Sequence, residues 1–340
     1  MYEKGNDLYL LAFSQKDSLM HILKEESSGF VPFGNFALDT ATLYQLLEED
    51  KMLLNSHLLM LDTHLLLIVP NNYLYSVYDI NAQQLMFQRI QKNDSILIGA
   101  TQNDAMMYDK QRERLVYFPY NLNFTDDSFR YKILTGENIY TGNQELYPVY
   151  FPQVKEFKDG YTNLEQCHFH CIAGDKYVTT QSKTNILSVY DTQTQKVKMF
   201  DIVSDNYTPY PKEYKNYNFN DDFIGLINFK NKTMTCDYYN HSLLYDEYKK
   251  LYYRFFSIAQ PEYNEEGLKN TINTKHTVVS LIDEKFNYIG DYVEENLFFI
   301  KNKAIPTSKG LAFLVSENCH HGVCGLRQGK YEVVKLSFDY

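Results

Sequence analysis

His276 to Val293, HTVVSLIDEKFNYIGDYV, reads as one complete β-hairpin. Thr277, Val279 and Leu281 alternate with Val278, Ser280 and Ile282, and the β-branched residues among them suit a pleated, half-buried strand. Asp283-Glu284-Lys285 supplies a polar turn, and Phe286, Tyr288 and Ile289 begin a return strand that Gly290-Asp291 is expected to break. The same grammar stands at Asn72 to Ile90, NYLYSVYDINAQQLMFQRI, and at Asn185 to Ile202, NILSVYDTQTQKVKMFDI. Ser76-Val77-Tyr78-Asp79 and Ser188-Val189-Tyr190-Asp191 are identical, with Ser280-Leu281-Ile282-Asp283 a looser third copy.

The copies lie 112 residues apart (188 − 76) and 92 apart (280 − 188). Halved, the intervals become 56 and 46, close to the roughly 40 to 50 residues of a propeller blade. A second hairpin type fits the halving: Met106 to Asp109 followed by Leu115 to Phe118 resembles Leu243 to Asp246 followed by Leu251 to Phe255. Two alternating hairpins per unit make a four-stranded blade, and 340 residues at about 50 per blade give about six or seven. The expected fold is therefore all-β: one β-propeller domain over residues 1–340, with six or seven four-stranded antiparallel blades and a ring closed by the N- and C-terminal strands. The closing strand is Tyr331 to Phe338, YEVVKLSF.

Composition agrees with this. At 44% hydrophobic residues the chain can fill a core, and 31 Tyr with 22 Phe and no Trp supply flat rings to fill the space between sheets. A net charge of −10 without a dense Lys/Arg patch argues against nucleic-acid binding, which needs a basic face. The richest apolar run, Leu58 to Val69, is interrupted by Asp62, Thr63 and His64, so nothing reads as a membrane helix. The opening MYEKGNDLYLLAF goes straight into a strand pattern without a signal-peptide core, which by itself places the chain in the cytoplasm.

Along the chain, Asp7 to Phe13 and Ser18 to Leu23 read as a hairpin, Gly29 to Asn35 as a loop, residues 41–50 as a short helix opened by Thr42, and Leu58 to Ile90 as one whole blade. Asn138 to Val154, with Gly142, Pro148 and Pro152, reads as a connection between blades. The longest irregular stretch is Ser204 to Asp222, where Tyr207, Tyr210, Tyr214 and Tyr217 stand in a Pro/Asn/Asp background. These tyrosines are candidate ligand-binding residues, set against a reading as a cover packed on sheet edges. Gln260 to Thr274, with Glu262, Glu265 and Glu266, reads as solvated acidic surface.

Four of the five cysteines sit in two short clusters with histidines, Cys167-His168-Phe169-His170-Cys171 and Cys319-His320-His321-Gly322-Val323-Cys324. On a strand His168 and His170 share one face while the cysteines take the other, which suits tetrahedral zinc poorly. The candidate metal ligands are His168, His170, His320 and His321, and Cys319 with Cys324 is a candidate disulfide. The competing reading, which the residue pattern favours, is that they are buried small hydrophobes and loop histidines. The odd count leaves at least one cysteine, such as the isolated Cys236, without an internal partner. No nucleophile elbow, phosphate loop, dinucleotide fingerprint or zinc helix stands in the sequence, and no cofactor is implied.

The runs Tyr245 to Ile258, Thr277 to Tyr292, Ile305 to Glu317 and the closing YEVVKLSF together resemble a Bacteroidetes lipoprotein family of unknown function, the domain-of-unknown-function 4221 type. That family is itself similar to TolB-like six-bladed propellers. The likeness covers about the last 100 residues well and the Leu58 to Ile90 blade moderately. Its motifs are strand and turn patterns that carry over no catalytic residue. The resemblance implies export and anchoring at the periplasmic or outer-membrane surface through an N-terminal lipidated cysteine, which does not stand in this sequence. The expected function is a non-enzymatic, monomeric binding or scaffold propeller that holds a protein, peptide or glycan at its top face or central channel. The alternative is a propeller hydrolase or lyase acting on a glycan or small ester, with a metal held by the histidines.

Overall fold

The computed structural model describes residues 2–14, 19–27, 29–37, 57–61, 64–69, 74–79, 81–82, 84–90, 106–118, 132–151, 168–208, 223–271, 274–294, 304–316 and 331–336. The chain divides into two compact units, Met1–Tyr147 and Pro148–Tyr340. Among the described residues the strands form six antiparallel sheets, five of four strands and one of three, each a meander.

In the first unit the sheets are β1 (Tyr2–Lys4), β2 (Asp7–Ser14), β3 (Leu19–Glu26) and β4 (Gly29–Ala37); then β5 (His57–Leu61), β6 (His64–Val69), β7 (Leu74–Asp79) and β8 (Gln84–Ile90); then β9 (Met107–Asp109), β10 (Arg114–Tyr117), β11 (Lys132–Asn138) and β12 (Gln144–Phe151), whose last residues cross into the second unit. The second unit holds β13 (His168–Ala173), β14 (Lys176–Gln181), β15 (Ile186–Asp191) and β16 (Lys196–Asp201); then helix α1 (Phe223–Cys236); then β17 (Tyr239–Asp246), β18 (Leu251–Ser257), β19 (Thr277–Asp283) and β20 (Tyr288–Glu294); and last β21 (Ile305–Thr307), β22 (Gly310–Ser316) and β23 (Tyr331–Leu336). The first strands of three successive pairs of sheets are neighbours, β5 with β9, β13 with β17 and β17 with β21, which is how propeller blades succeed one another.

The aspartate that closes each motif decides where the chain turns. Oδ1 of Asp79 accepts from the amides of Asn81 and Ala82 (2.8 and 2.9 Å), that of Asp191 from Gln193 and Thr194 (3.0 and 2.8 Å), and that of Asp283 from Lys285 and Asn287 (both 2.8 Å). The same device ends two first strands: Asp109 accepts from the Arg112 amide (3.1 Å) and Asp246 from Tyr248 and Lys249 (2.9 and 3.0 Å). An Asx turn of this kind mimics a backbone turn and fixes hairpin register. After Asp109, Asp191 and Asp246 the fourth residue on, Glu113, Gln195 or Lys250, takes positive φ (52°, 55° and 57°), so three hairpins share one loop geometry.

Between sheets the core is apolar and aromatic. In the first unit Leu61 and Val77 meet Met106, Leu115, Tyr117 and Ile139. In the second, Tyr253, Phe255, Val279 and Leu281 meet Ala304 and Leu311. Burial of such a side chain contributes about 1.5–3 kcal/mol. Phe286, at φ 66°, lies between Phe200 and Tyr252, with centroids 4.4 and 5.1 Å away. A bulky residue in left-handed backbone is strained, and the two stacked contacts offset that cost.

Several expectations need correction. The motifs at Ser188 and Ser280 lie on β15 and β19, third strands of consecutive sheets, so no blade separates them and the second interval should not be halved. It is long because the β16–β17 and β18–β19 connections are long. The first interval does span one intervening sheet, β9 to β12. Gly29–Ala37 is a strand rather than a loop, and Gln144–Phe151 is an outer strand rather than a connection, with Pro148 exposed on it, where a missing amide is tolerated. Gly290 and Asp291 do not end the return strand, because a bulge at Ile289 absorbs the irregularity and β20 continues to Glu294. The helix expected over 41–50 lies outside the described residues.

Replacing Asp246, which is fully buried and also accepts from the Tyr253 hydroxyl at 3.1 Å, removes three hydrogen bonds at once. Asp246→Ala is expected to cost about 2–4 kcal/mol by urea denaturation, whereas Asp246→Asn, which keeps the Oδ1 acceptor, costs less than half as much. The Thr194 amide, with the Thr194 side chain and Gln193 amide, holds the Asp191 carboxyl below its usual range against the effect of burial. A depressed carboxyl contributes stability that is present above its unfolded value, near pH 4, and is lost as pH falls through the folded value. An acid titration of stability should therefore fall less steeply below pH ~4 in Asp191→Asn than in the unmodified chain.

Candidate functional site

In the second unit the described residues of three connections meet at one end of neighbouring sheets: 182–185 between β14 and β15, 202–208 and 237–238 with α1 between β16 and β17, and 258–271 and 274–276 between β18 and β19. The turns that follow β13, β15, β17 and β19 belong to the other end. Connections ordinarily run over the surface and solvate their polar groups. Here Ser182, Lys183, Thr184, Asn185, Asp237 and Lys275 are all buried, as are Asn240 and His241 at the start of β17.

The cluster is built on hydrogen bonds to backbone. The Asn240 amide donates to the Ser182 carbonyl, and its side chain donates to the carbonyls of Gln181 and of Thr184 (2.7 Å). Tyr238 OH donates to Asn240 Oδ1 at 2.6 Å, which orients that carboxamide. Arg254, with no exposed surface, donates from Nη1 to the Asn185 carbonyl (3.2 Å) and from Nη2 to the Ile202 carbonyl (2.9 Å), bridging two sheets. Ser204 Oγ and Asn206 Nδ2 donate to Asp291 Oδ2 on β20 (2.6 and 2.7 Å), which pins the start of the β16–β17 connection.

At the centre Lys183 Nζ lies 3.2 Å from Asp237 Oδ2, both side chains nearly wholly buried, while Lys275 Nζ donates to the Asp237 carbonyl. Asp237 directly follows α1, and its amide donates to the Thr233 carbonyl (3.0 Å). Lys275 therefore places a cation at the negative end of the helix, and the Gln260 amide accompanies it by donating to the Cys236 carbonyl at 2.8 Å. Burial pushes the Asp237 carboxyl up, against the downward pull of Lys183, Lys275 and Lys232. The neighbouring Cys236 thiol is pushed up by burial and by Glu262 and Asp237.

His241 is the extra residue of a bulge between Asn240 and Ser242. That bulge aims its Nε2 at Ser257 Oγ, with its ring 5.3 Å from that of Tyr239.

Of the residues singled out from sequence, Tyr207 lies at this end, edge-on to Tyr238 with centroids 4.9 Å apart. Tyr210, Tyr214, Tyr217, Cys319, His320, His321 and Cys324 lie outside the described residues. His168 pairs with Gln181 and His170 with Thr179, so both stand on β13. His170 is buried, as is the neighbouring Cys171, whose thiol is free and pushed far up by burial. Among the described residues no three His, Cys, Asp or Glu side chains are grouped to hold a metal, and no helix is long and apolar enough to cross a membrane. Sequence reading passed over Lys183, Asp237 and Lys275, since a lysine in a Ser-Lys-Thr-Asn connection reads as solvated. The available signal was that run's polar character immediately before the apolar-rich ILSVY of β15.

Meanders of this form, succeeding one another through their first strands, define an all-β protein of propeller type. The chain belongs to the family described as Domain of unknown function (DUF4221), which matches residues 52–292. It is similar in structure to a member of that family from Bacteroides vulgatus, with a TM-score of 0.62 at 13% identity over 98% of this chain and 92% of the other. A protein of Bacteroides fragilis described as exported has a TM-score of 0.50 at 12% identity over 92% and 78%. The β-propeller domain of Cps50 from Myceliophteria thermophila has a TM-score of 0.40 at 8% identity over 98% and 99%. No curated protein matches the chain.

Among the described residues the free thiols, the buried Cys171 and the half-buried Cys236, are both pushed up and should both react more slowly than an ordinary cysteine. With iodoacetamide at pH 8, Cys236 is expected to alkylate more slowly than free cysteine, and Cys171 only on unfolding, as read by peptide mass spectrometry. Rapid labelling of Cys171 in the folded protein would contradict its burial.

Proposed function

We propose that this chain is a six-bladed, ring-closed propeller of the cell envelope that binds a protein, peptide or glycan rather than catalysing a reaction. Its ligand face is the end of the second unit where the β14–β15, β16–β17 and β18–β19 connections meet. The observation that carries the reading is the buried Lys183–Asp237 ion pair, held with Lys275 in connections rather than in strands. A buried charge pair offers little net stability over apolar packing, and a carboxyl that burial pushes up, held with two lysines in connections, marks a binding face in preference to a framework. The exported Bacteroides neighbour supports placement outside the cytoplasm; attachment there through a lipid anchor is part of the proposal.

A hydrolytic reading would begin from His241 and Ser257. Ser257 has no exposed surface, which puts its hydroxyl beyond a substrate's reach, so we assign the pair to the framework.

The reading is tested by screening the intact protein against immobilised peptide and glycan panels. The ligand found should bind several-fold more weakly to Tyr207→Ala or His276→Ala, at the proposed face. A ligand indifferent to both changes, yet lost in Tyr248→Ala at the opposite turns, would sink the assignment.

A further inference from the structure

In four sheets the pairing of the third strand with the fourth is described, and in three of them it is broken by one extra residue on the fourth strand. These residues are Phe33 on β4, Met86 on β8 and Ile289 on β20. Each is a large apolar side chain at the surface, 62%, 46% and 47% exposed. A bulge bends and twists an outer strand and interrupts its row of amides and carbonyls, so these edges cannot template another strand.

β16 differs. Lys196 to Asp201 lie opposite Asp191 to Ile186 in unbroken register. Among the described residues no strand pairs with the outer edge of β16. Lys196 and Lys198 are exposed on one face, and the other carries Val197 and Met199, the latter 60% exposed. The lysines choose the occupant. Antiparallel pairing with a second copy about a twofold axis keeps even-numbered residues opposite even-numbered ones, and so sets Lys198 against Lys198, Lys196 or Phe200 of that copy. Self-pairing is thereby disfavoured, while a strand bearing carboxylates meets opposite charge.

We propose that β16 is a strand-addition edge for an extended segment of another polypeptide, with carboxylates at alternate positions opposite Lys196 and Lys198 and apolar side chains over Val197 and Met199. Main-chain hydrogen bonds supply affinity and the alternating side chains supply selection. The inference is independent of the ligand face proposed above.

The probe is a synthetic peptide of alternating Glu and Val, measured by calorimetry against the full chain. It is compared with its Lys-for-Glu counterpart and with two versions N-methylated at alternate residues, one for each edge. The Glu peptide is expected to bind, more weakly as salt rises, and one N-methylated version is expected to lose binding. Lys196→Glu/Lys198→Glu, whose fold is checked by circular dichroism, should bind about tenfold more weakly or worse. The proposal is overturned if the Glu peptide does not bind, if the Lys peptide binds equally well, if the double variant keeps its affinity, or if both N-methylated versions bind like the parent. The last result would mean charge adsorption without strand pairing.

Discussion

A carboxylate at the end of a strand, turned onto the next amides of its own chain, is the constraint on which this architecture depends. Asp79, Asp109, Asp191, Asp246 and Asp283 each end a strand this way. Because side chains alternate across a strand, a hairpin that slipped by one residue would move its whole apolar set to the wrong face. The aspartate makes that slip expensive before any sheet has packed. Tyr78, Tyr190, Tyr253 and Val279 are then delivered to the gaps between sheets, where little area of each remains exposed.

The gaps are not filled by apolar contact alone. Where the second unit's two four-stranded sheets meet, Arg254 and Asn240 reach across to backbone carbonyls, and Lys183 is buried on Asp237. Buried donors of this kind are directional, and removing an acceptor leaves a desolvated group behind. Apolar surfaces would hold the sheets together in several nearly equivalent positions; these bonds select one. The polar end of the joint is thus also its most specific part, which is consistent with a face that must keep its shape.

Alternation and turn chemistry made the hairpins legible in sequence, since both depend only on near neighbours. The motif Asp carried more than expected, fixing loop geometry as well as the place of the turn. Gly29–Ala37 and Gln144–Phe151 were misread because Gly and Pro punctuate interior strands but are tolerated on outer ones. Helix α1 escaped notice because FIGLINFKNKTMTC contains several weak helix formers. Its last carbonyls are satisfied by Gln260, far along the chain. The Lys183, Asp237 and Lys275 cluster left only the polar run around Lys183 as a sequence signal, because its members come from three connections that the packing of the sheets brings together.

Arg254 carries a further consequence for how the molecule comes apart. Propeller blades invite a picture of quasi-independent repeats, each free to open while its neighbours hold. Arg254 belongs to one sheet, yet the carbonyls it donates to, those of Asn185 and Ile202, border the two ends of a hairpin in the sheet before it. Neither sheet can open alone without stranding a guanidinium in a dry interior or exposing it at the cost of the joint. The two therefore behave as a single cooperative block, and native-state fluctuations in the second unit begin elsewhere, beyond the reach of this one side chain.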